Sequence, residues 1–205
     1  YFQDQIDLSD ALKLLVGGRY DNVRQNGTYK GLFTSDDSLY FEGEYGFKAS
    51  AFSPRAGLLY KVTDSLSIFT SWSKSFNPNY ADCDEFTGEC RQFPSEIGVQ
   101  YEGGVKFEAA NGRFGATAAL FRIEKSNVLQ TDPVDPNKQV VDGKHRSQGV
   151  ELDVSGEPLK GLSIIASYAY IDAIVAQSTD YLVGGSLPNA AKHTASLWVS
   201  YDWKL

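Results

Sequence analysis

The chain has 205 residues, 42% of them hydrophobic and 13% aromatic, too apolar and aromatic for a disordered segment. A net charge of −7 without any basic stripe speaks against a nucleic-acid partner. No run of 18 or more apolar residues occurs, which excludes a transmembrane helix. Membrane-crossing strands stay open, because their alternation averages away in a mean hydropathy of −0.30. The sequence starts at Tyr1 and contains no methionine, so it reads as a mature form or a piece of a longer chain.

In chain order, nine segments alternate apolar and polar residues: 1–7, 11–24, 48–62, 66–77, 97–109, 114–127, 142–157, 162–176 and 190–204. In the second, Leu12, Leu14, Val16 and Tyr20 oppose Lys13, Arg19 and Asp21. The third and fourth carry Pro54, Ala56, Leu58, Tyr60, Leu66, Ile68 and Trp72 against Arg55, Lys61 and a row of serines. The fifth sets Val99, Tyr101, Val105 and Phe107 against Gln100, Glu102, Lys106 and Glu108. In the sixth, Phe121 and Ile123 change sides with Arg122 and Glu124, which predicts a bulge near Leu120. The seventh sets Val150, Leu152 and Val154 against Glu151 and Asp153, and the eighth has Leu162, Ile164, Ala166, Tyr168 and Tyr170 on one side.

The connections carry more information than the strands. LSD (8–10), TDS (63–65), AANGR (109–113) and PLKG (158–161) are short, whereas 25–47, 78–96, 128–141 and 177–189 are long. Short and long alternate throughout, as in outer-membrane barrels with short turns on one side and long loops on the other. A soluble β-sandwich has no reason to keep all its long loops at one end. The apolar side is therefore expected to meet lipid and the polar side to line a lumen. Tyr and Trp residues near strand ends fit the aromatic girdles of such a wall.

Cys83 and Cys90 bracket a short acidic segment, CDEFTGEC. Zinc would need further ligands, and a redox pair would have two intervening residues, so a disulfide-closed loop is expected over free thiols. No nucleophile elbow, metal spacing or phosphate loop appears, and the chain is read as neither an enzyme nor a metal or cofactor protein. His193 reads as an interfacial histidine and His145 as a solvated loop residue.

LKLLVGGRYD, FSPRAGLLYKVTDSLSIFTSWSKSF, PSEIGVQYEGGVK, RSQGVELDVSGEPLKGLSIIASYAYIDA and LPNAAKHTASLWVSY resemble the barrel of TonB-dependent ferric-siderophore receptors, in that family's order. The resemblance implies an all-β, antiparallel, up-and-down transmembrane barrel of 22 strands, plugged by an N-terminal domain. Nine strands use 205 residues, so 22 would take roughly 500. Residues 1–205 are accordingly expected to be a partial barrel domain, without the plug and the C-terminal strands. It further implies a location in the outer membrane of a Gram-negative-type bacterium, with lipid, a ferric siderophore and the TonB complex as partners. The last would be engaged through the plug region. Iron would arrive as the siderophore's cargo, with oxygen ligands of its own. A receptor for cobalamin or a glycan, or a passive pore, is the alternative.

If the long loops are extracellular, candidate ligand contacts are Tyr40, Phe41, Tyr45, Phe47, Tyr80, Phe86, Phe93 and Tyr181. Lumen-facing or plug-contacting candidates are Arg19, Asp21, Arg55, Lys61, Glu102, Lys106, Glu108, Arg146, Glu151 and Asp153.

Overall fold

A computed structural model describes residues 1–32, 39–79, 82–83, 90–109, 112–132, 134–135, 138–178 and 183–203, without the side chains of 29, 31, 32, 39–41, 82, 83 and 142. Nine strands form one antiparallel sheet in strictly sequential order: β1 (Phe2–Asp7), β2 (Leu12–Leu32), β3 (Leu39–Lys61), β4 (Leu66–Asn77), β7 (Glu96–Ala109), β8 (Phe114–Thr131), β9 (Gln139–Leu159), β10 (Leu162–Gln177) and β11 (His193–Tyr201). A separate two-stranded ribbon, β5 (Asp82–Cys83) and β6 (Cys90–Arg91), lies within the connection from β4 to β7. This is an up-and-down wall.

The wall is one layer thick. Its accessible surface is 13843 Å², against about 9,500 Å² expected for a globular chain of this mass. Cross-strand register sets which side chains share a face, since directly paired residues project to the same side. Leu14, Leu58 and Thr70 form one such row, and Tyr60, Ile68, Val105, Ala118, Leu152 and Tyr168 form another. In β2, β3, β7 and β10 the apolar or small outer positions run over Leu12–Tyr20, Phe52–Tyr60, Val99–Phe107 and Leu162–Tyr170. Each stretch is nine residues, the length a tilted strand needs to cross a bilayer core. No charged residue occupies an outer position within them. The outer apolar side chains are exposed, among them Tyr20, Tyr60, Ile68, Tyr101 and Leu120.

The short turns have a common chemistry. The Leu12 N–H donates to Ser9 Oγ at 3.0 Å, and the Leu66 N–H donates to Thr63 Oγ1 at 3.0 Å. In both, a hydroxyl two or three residues back satisfies the backbone and holds the chain reversal. The other two turns use Gly112 and Gly161, both at φ +84°, where a side chain would strain the backbone.

Three expectations need correction. β2 runs on to Leu32 and β3 begins at Leu39, so most of 25–47 is strand; likewise β8 and β9 take up much of 128–141. Beyond the apolar belt both faces are polar, which erases the alternation while the backbone ladder continues. The bulge is not at Leu120: β8 pairs without interruption through Lys125 and shifts register between Lys125 and Val128, where Asn127 sits at φ 59°. Arg122 and Glu124 therefore lie on the outer face, above the belt.

Candidate functional site

The inner face runs from the short-turn end to the long-loop end as a mixed charged wall. Nine of the lumen candidates lie on it. Arg55, level with Gln3 and Gly17, hydrogen-bonds through Nη2 to the Tyr1 hydroxyl and to Gln3 Oε1, and its guanidinium stands 5.0 Å from the Tyr1 ring centre. Arg19 pairs with Asp21 along the same strand at 2.8 Å. Lys106 lies over the Phe69 ring at 5.2 Å, and Glu102 accepts from Gln100 at 3.3 Å. Lys61 is in register with Ser67, and Ser67 with Lys106; Glu108 stands opposite Gly115.

Further round, Glu151 and Asp153 line an open hollow of about 310 Å³ with Ser167, Thr194 and Ser196, and Ser167 donates to Asp153 at 2.7 Å. A second hollow of about 320 Å³ lies over Gly57, between Leu15, Leu59 and Phe69, bordered by Lys13 and Lys106. The inner wall thus offers a basic, partly apolar stretch on β2–β7 and an acidic stretch on β9–β11.

Arg146 is the exception. It has the parity of Val150 and pairs with Glu124 on one side and Ile174 on the other, so it is on the outer face. Its Nη2 is 4.0 Å from Asp172. Charge is tolerated there because the strand has already left the apolar belt.

At the long-loop end a polar knot closes the base of the β4–β7 connection. Asn79, 6% exposed, donates from Nδ2 to the carbonyls of Pro94 at 2.8 Å and Asn127 at 3.0 Å. Asn127 donates in turn to the Ser95 carbonyl at 2.8 Å. Glu96, 8% exposed, accepts from Asn77 at 2.8 Å and meets Lys125 Nζ at 2.8 Å. A buried carboxylate is tolerable here because it is both paired and hydrogen-bonded. His145 is in β9, not in a loop, and stands level with Lys125 and Val175 on the inner side, beyond the belt. Its pKa is held below the ordinary histidine value by burial first and the Lys125 charge second, with Glu96 opposing. None of these knot residues stood out in the sequence, except that Asn77-Pro78-Asn79 opens a connection.

The aromatic candidates divide. Tyr45 is on β3 and faces inward; its ring lies across Gly27, and its hydroxyl accepts from Gln25 Nε2 at 3.3 Å. Phe47 and Phe93, 1% and 6% exposed, are packed away and have no surface to offer a ligand. The side chains of Tyr40 and Phe41, and the whole of Tyr80, Phe86 and Tyr181, lie outside the described residues. Cys83 and Cys90 are in register across the β5–β6 ribbon, and Cys90 is disulfide-bonded. His193, at the start of β11, meets the Tyr168 hydroxyl through Nδ1 at 2.9 Å on the outer face.

A single-layer, sequentially wound antiparallel sheet with an apolar outer belt, a charged inner face and long connections at one end defines the wall of a transmembrane β-barrel. The sequence matches the family described as TonB dependent receptor-like, beta-barrel, over residues 1–205, and the chain belongs to that family.

It is 37% identical over 202 residues to the metal-pseudopaline receptor CntO of Pseudomonas aeruginosa, covering 98% of this chain and 28% of that protein. It is 31% identical over 206 residues to the ferrioxamine B receptor of Salmonella typhimurium, covering 100% of this chain and 27% of that protein. Among solved structures, the ferric-catecholate import receptor Fiu of Escherichia coli K12 superposes with a TM-score of 0.80 at 22% identity, over 97% of this chain and 31% of that one. The siderophore receptor PiuA of Acinetobacter baumannii gives 0.77 at 25% identity, over 97% and 30%. The chain thus spans about three tenths of the length of these relatives.

Proposed function

We propose that residues 1–205 are part of the outer-membrane barrel of a receptor that binds and imports ferric siderophores with energy from the TonB complex. The observation that carries this reading is the apolar outer belt with long connections at one end, in a chain 31% identical over 206 residues to a ferrioxamine B receptor. In that setting the short turns are periplasmic and the long connections extracellular. The inner charges face a plug or the translocation path, and the vestibule receives the chelate. Tyr45 is the described aromatic residue best placed to touch it. The chelate brings its own oxygen donors, so the protein needs no iron ligands of its own.

The wall alone leaves β1 and β11 unpaired along their outer edges, which neither water nor lipid tolerates. It is therefore expected to transport only within the whole receptor. The relation to a metal-pseudopaline receptor favours one further reading, in which the chelated metal is not restricted to iron.

The test is radioiron uptake by cells lacking their own siderophore receptors and expressing the full-length receptor, with hydroxamate, catecholate and mixed chelates offered in turn. Uptake of at least one, abolished when the TonB complex is removed, is expected. Uptake independent of TonB would make the protein a passive pore. Binding of cobalamin or a glycan without any chelate uptake would move it to another substrate class.

A further inference from the structure

β3 pairs with β2 from Leu39 to Tyr60, but with β4 only from Arg55 to Lys61. Above Arg55 the β2–β3 hairpin leaves the wall, and its β4-side edge has no neighbouring strand. Pro54 marks the parting, since it has no N–H to continue the ladder. The Lys61 N–H donates to the Ala11 carbonyl at 2.7 Å, so odd-numbered residues of β3 bond to β2. Even-numbered residues turn their backbone groups to the other side. These are Glu42, Glu44, Gly46, Lys48, Ser50 and Phe52, all exposed. Among the described residues one partner reaches them: Gln92 Nε2 donates to the Lys48 carbonyl at 2.9 Å.

Elsewhere the wall covers its projecting strands with its own connections. The segment after β10 returns along it, with the Leu187 N–H on the Ala173 carbonyl and the Val175 N–H on the Gly185 carbonyl, both at 2.9 Å. β8 is capped where Asn79 donates to the Asn127 carbonyl. On β3 an edge from Glu42 to Phe52, about 34 Å long, stays open. Such an edge is a template for another strand, and Gln92 already supplies one donor as a strand would.

The bordering side chains select the occupant. Phe52, Lys48 and Glu44 stand four residues apart on the outer face, and Gly43, Ala49 and Ala51 leave room on the inner one. Glu42 is taken by Lys30 at 3.1 Å, whereas neither Lys48 nor Glu44 has an ion partner among the described residues. A second copy fits the membrane badly. Antiparallel pairing of two such edges has its two-fold axis normal to the sheet, hence in the membrane plane, and the copies would point in opposite directions. A two-fold along the membrane normal would set each N–H level with the same N–H of the other copy.

We propose that the open edge of β3 takes an extended polypeptide from outside the cell as an added antiparallel strand. Level with Phe52, Lys48 and Glu44 that strand carries an apolar residue, an acid and a base, at four-residue intervals. Backbone hydrogen bonds supply the affinity and the two ion pairs set register and direction. Such docking requires the long connections to be extracellular and is independent of which chelate the receptor takes.

The experiment is fluorescence anisotropy of the full-length receptor in nanodiscs with a labelled eleven-residue, threonine-rich peptide, valine first, aspartate fifth and lysine ninth. Wild type is expected to bind it about fivefold more tightly than the peptide with aspartate and lysine exchanged, and a Lys48→Glu/Glu44→Lys receptor should reverse that order. Gly46→Pro removes an N–H that faces the open side, leaves the pairing with β2 intact, and should cost about tenfold. Gly46→Ala, whose Cβ would meet only Asn26 Oδ1 at 3.4 Å, should bind as wild type does. Gln92→Ala frees the Lys48 carbonyl and should tighten binding about twofold to fivefold. No binding by wild type, equal binding by the Gly46→Pro receptor, or equal binding of a peptide N-methylated at its third and seventh residues would each overturn the proposal. A receptor dimer in light scattering that Gly46→Pro dissolves would assign the edge to a second copy and overturn it likewise. Chelate uptake by the Gly46→Pro receptor should stay at the wild-type level, which keeps failure here distinct from failure of the import reading.

Discussion

Replacing Gly149 by alanine tests how closely the wall is packed. A Cβ built there would lie 1.9 Å from the Tyr170 carbonyl oxygen and 3.1 Å from the Phe121 ring. Reaching an acceptable contact of about 3.0 Å requires β9 and β10 to separate locally by about 1 Å, since the obstacle is backbone and cannot rotate away. A ladder hydrogen bond of about 2.9 Å lengthened by that amount is lost, at about 1 kcal/mol. Overpacking adds about 1–3 kcal/mol, and the better strand propensity of alanine returns about 0.5–1.

A net destabilisation of about 1–3 kcal/mol follows. It is read as a lower urea midpoint at unchanged slope, by tryptophan fluorescence of the full-length receptor in detergent. Gly57→Ala is the control: its Cβ would meet nothing nearer than the Thr70 carbonyl oxygen at 3.5 Å, an ordinary contact. It should stay within about 0.5 kcal/mol of wild type. Phe121→Leu added to Gly149→Ala should not restore the midpoint. Equal midpoints for the two alanine variants, or rescue by Phe121→Leu, would refute backbone crowding as the cause.

Asn127→Ala should cost about 2 kcal/mol locally, from the lost bond to Ser95 and the positive φ, whereas Asn127→Gly keeps the backbone and costs about 1; amide exchange at residues 95–97 distinguishes them. Protonating His145 works against the fold, because its pKa in the folded state lies below the ordinary value. Its stabilising contribution is full above the ordinary histidine range and shrinks as pH falls through it, so the midpoint should drop on acidification and His145→Gln should flatten that drop. Cys90→Ser should leave the barrel's unfolding midpoint unchanged, since the β5–β6 ribbon is outside the nine-stranded sheet. Glu-specific cleavage between residues 83 and 90 should quicken several-fold. Tyr45→Ala in the full-length receptor should weaken chelate binding by a factor of about three to ten, measured by fluorescence quenching, and Phe47→Leu should not.

How much of this was legible depends on whether one face met an apolar phase. Within the belt, Leu12–Tyr20 and Phe52–Tyr60 alternate cleanly, and both strands and faces could be read directly. Past it, in RQNGTYKGL and the stretch before Lys48, both faces are wet, the side chains carry no periodic signal, and strand is indistinguishable from loop in the sequence. Arg146 is misplaced by its sequence for the same reason: a charge implies an inward position only within the belt, and above it a charge is free to face either way.

The sequence by itself determined the class of wall, its nine strands, its short and long ends and the lipid-facing side, because alternation and turn chemistry are local properties. Only the tertiary structure decided what lies level with what. Register puts Gly149 against Ile171, Arg24 against Lys48 and Glu96 beside Lys125, residues far apart in the chain. No local pattern encodes these meetings, since each depends on how several strands slide past one another before their ladders lock.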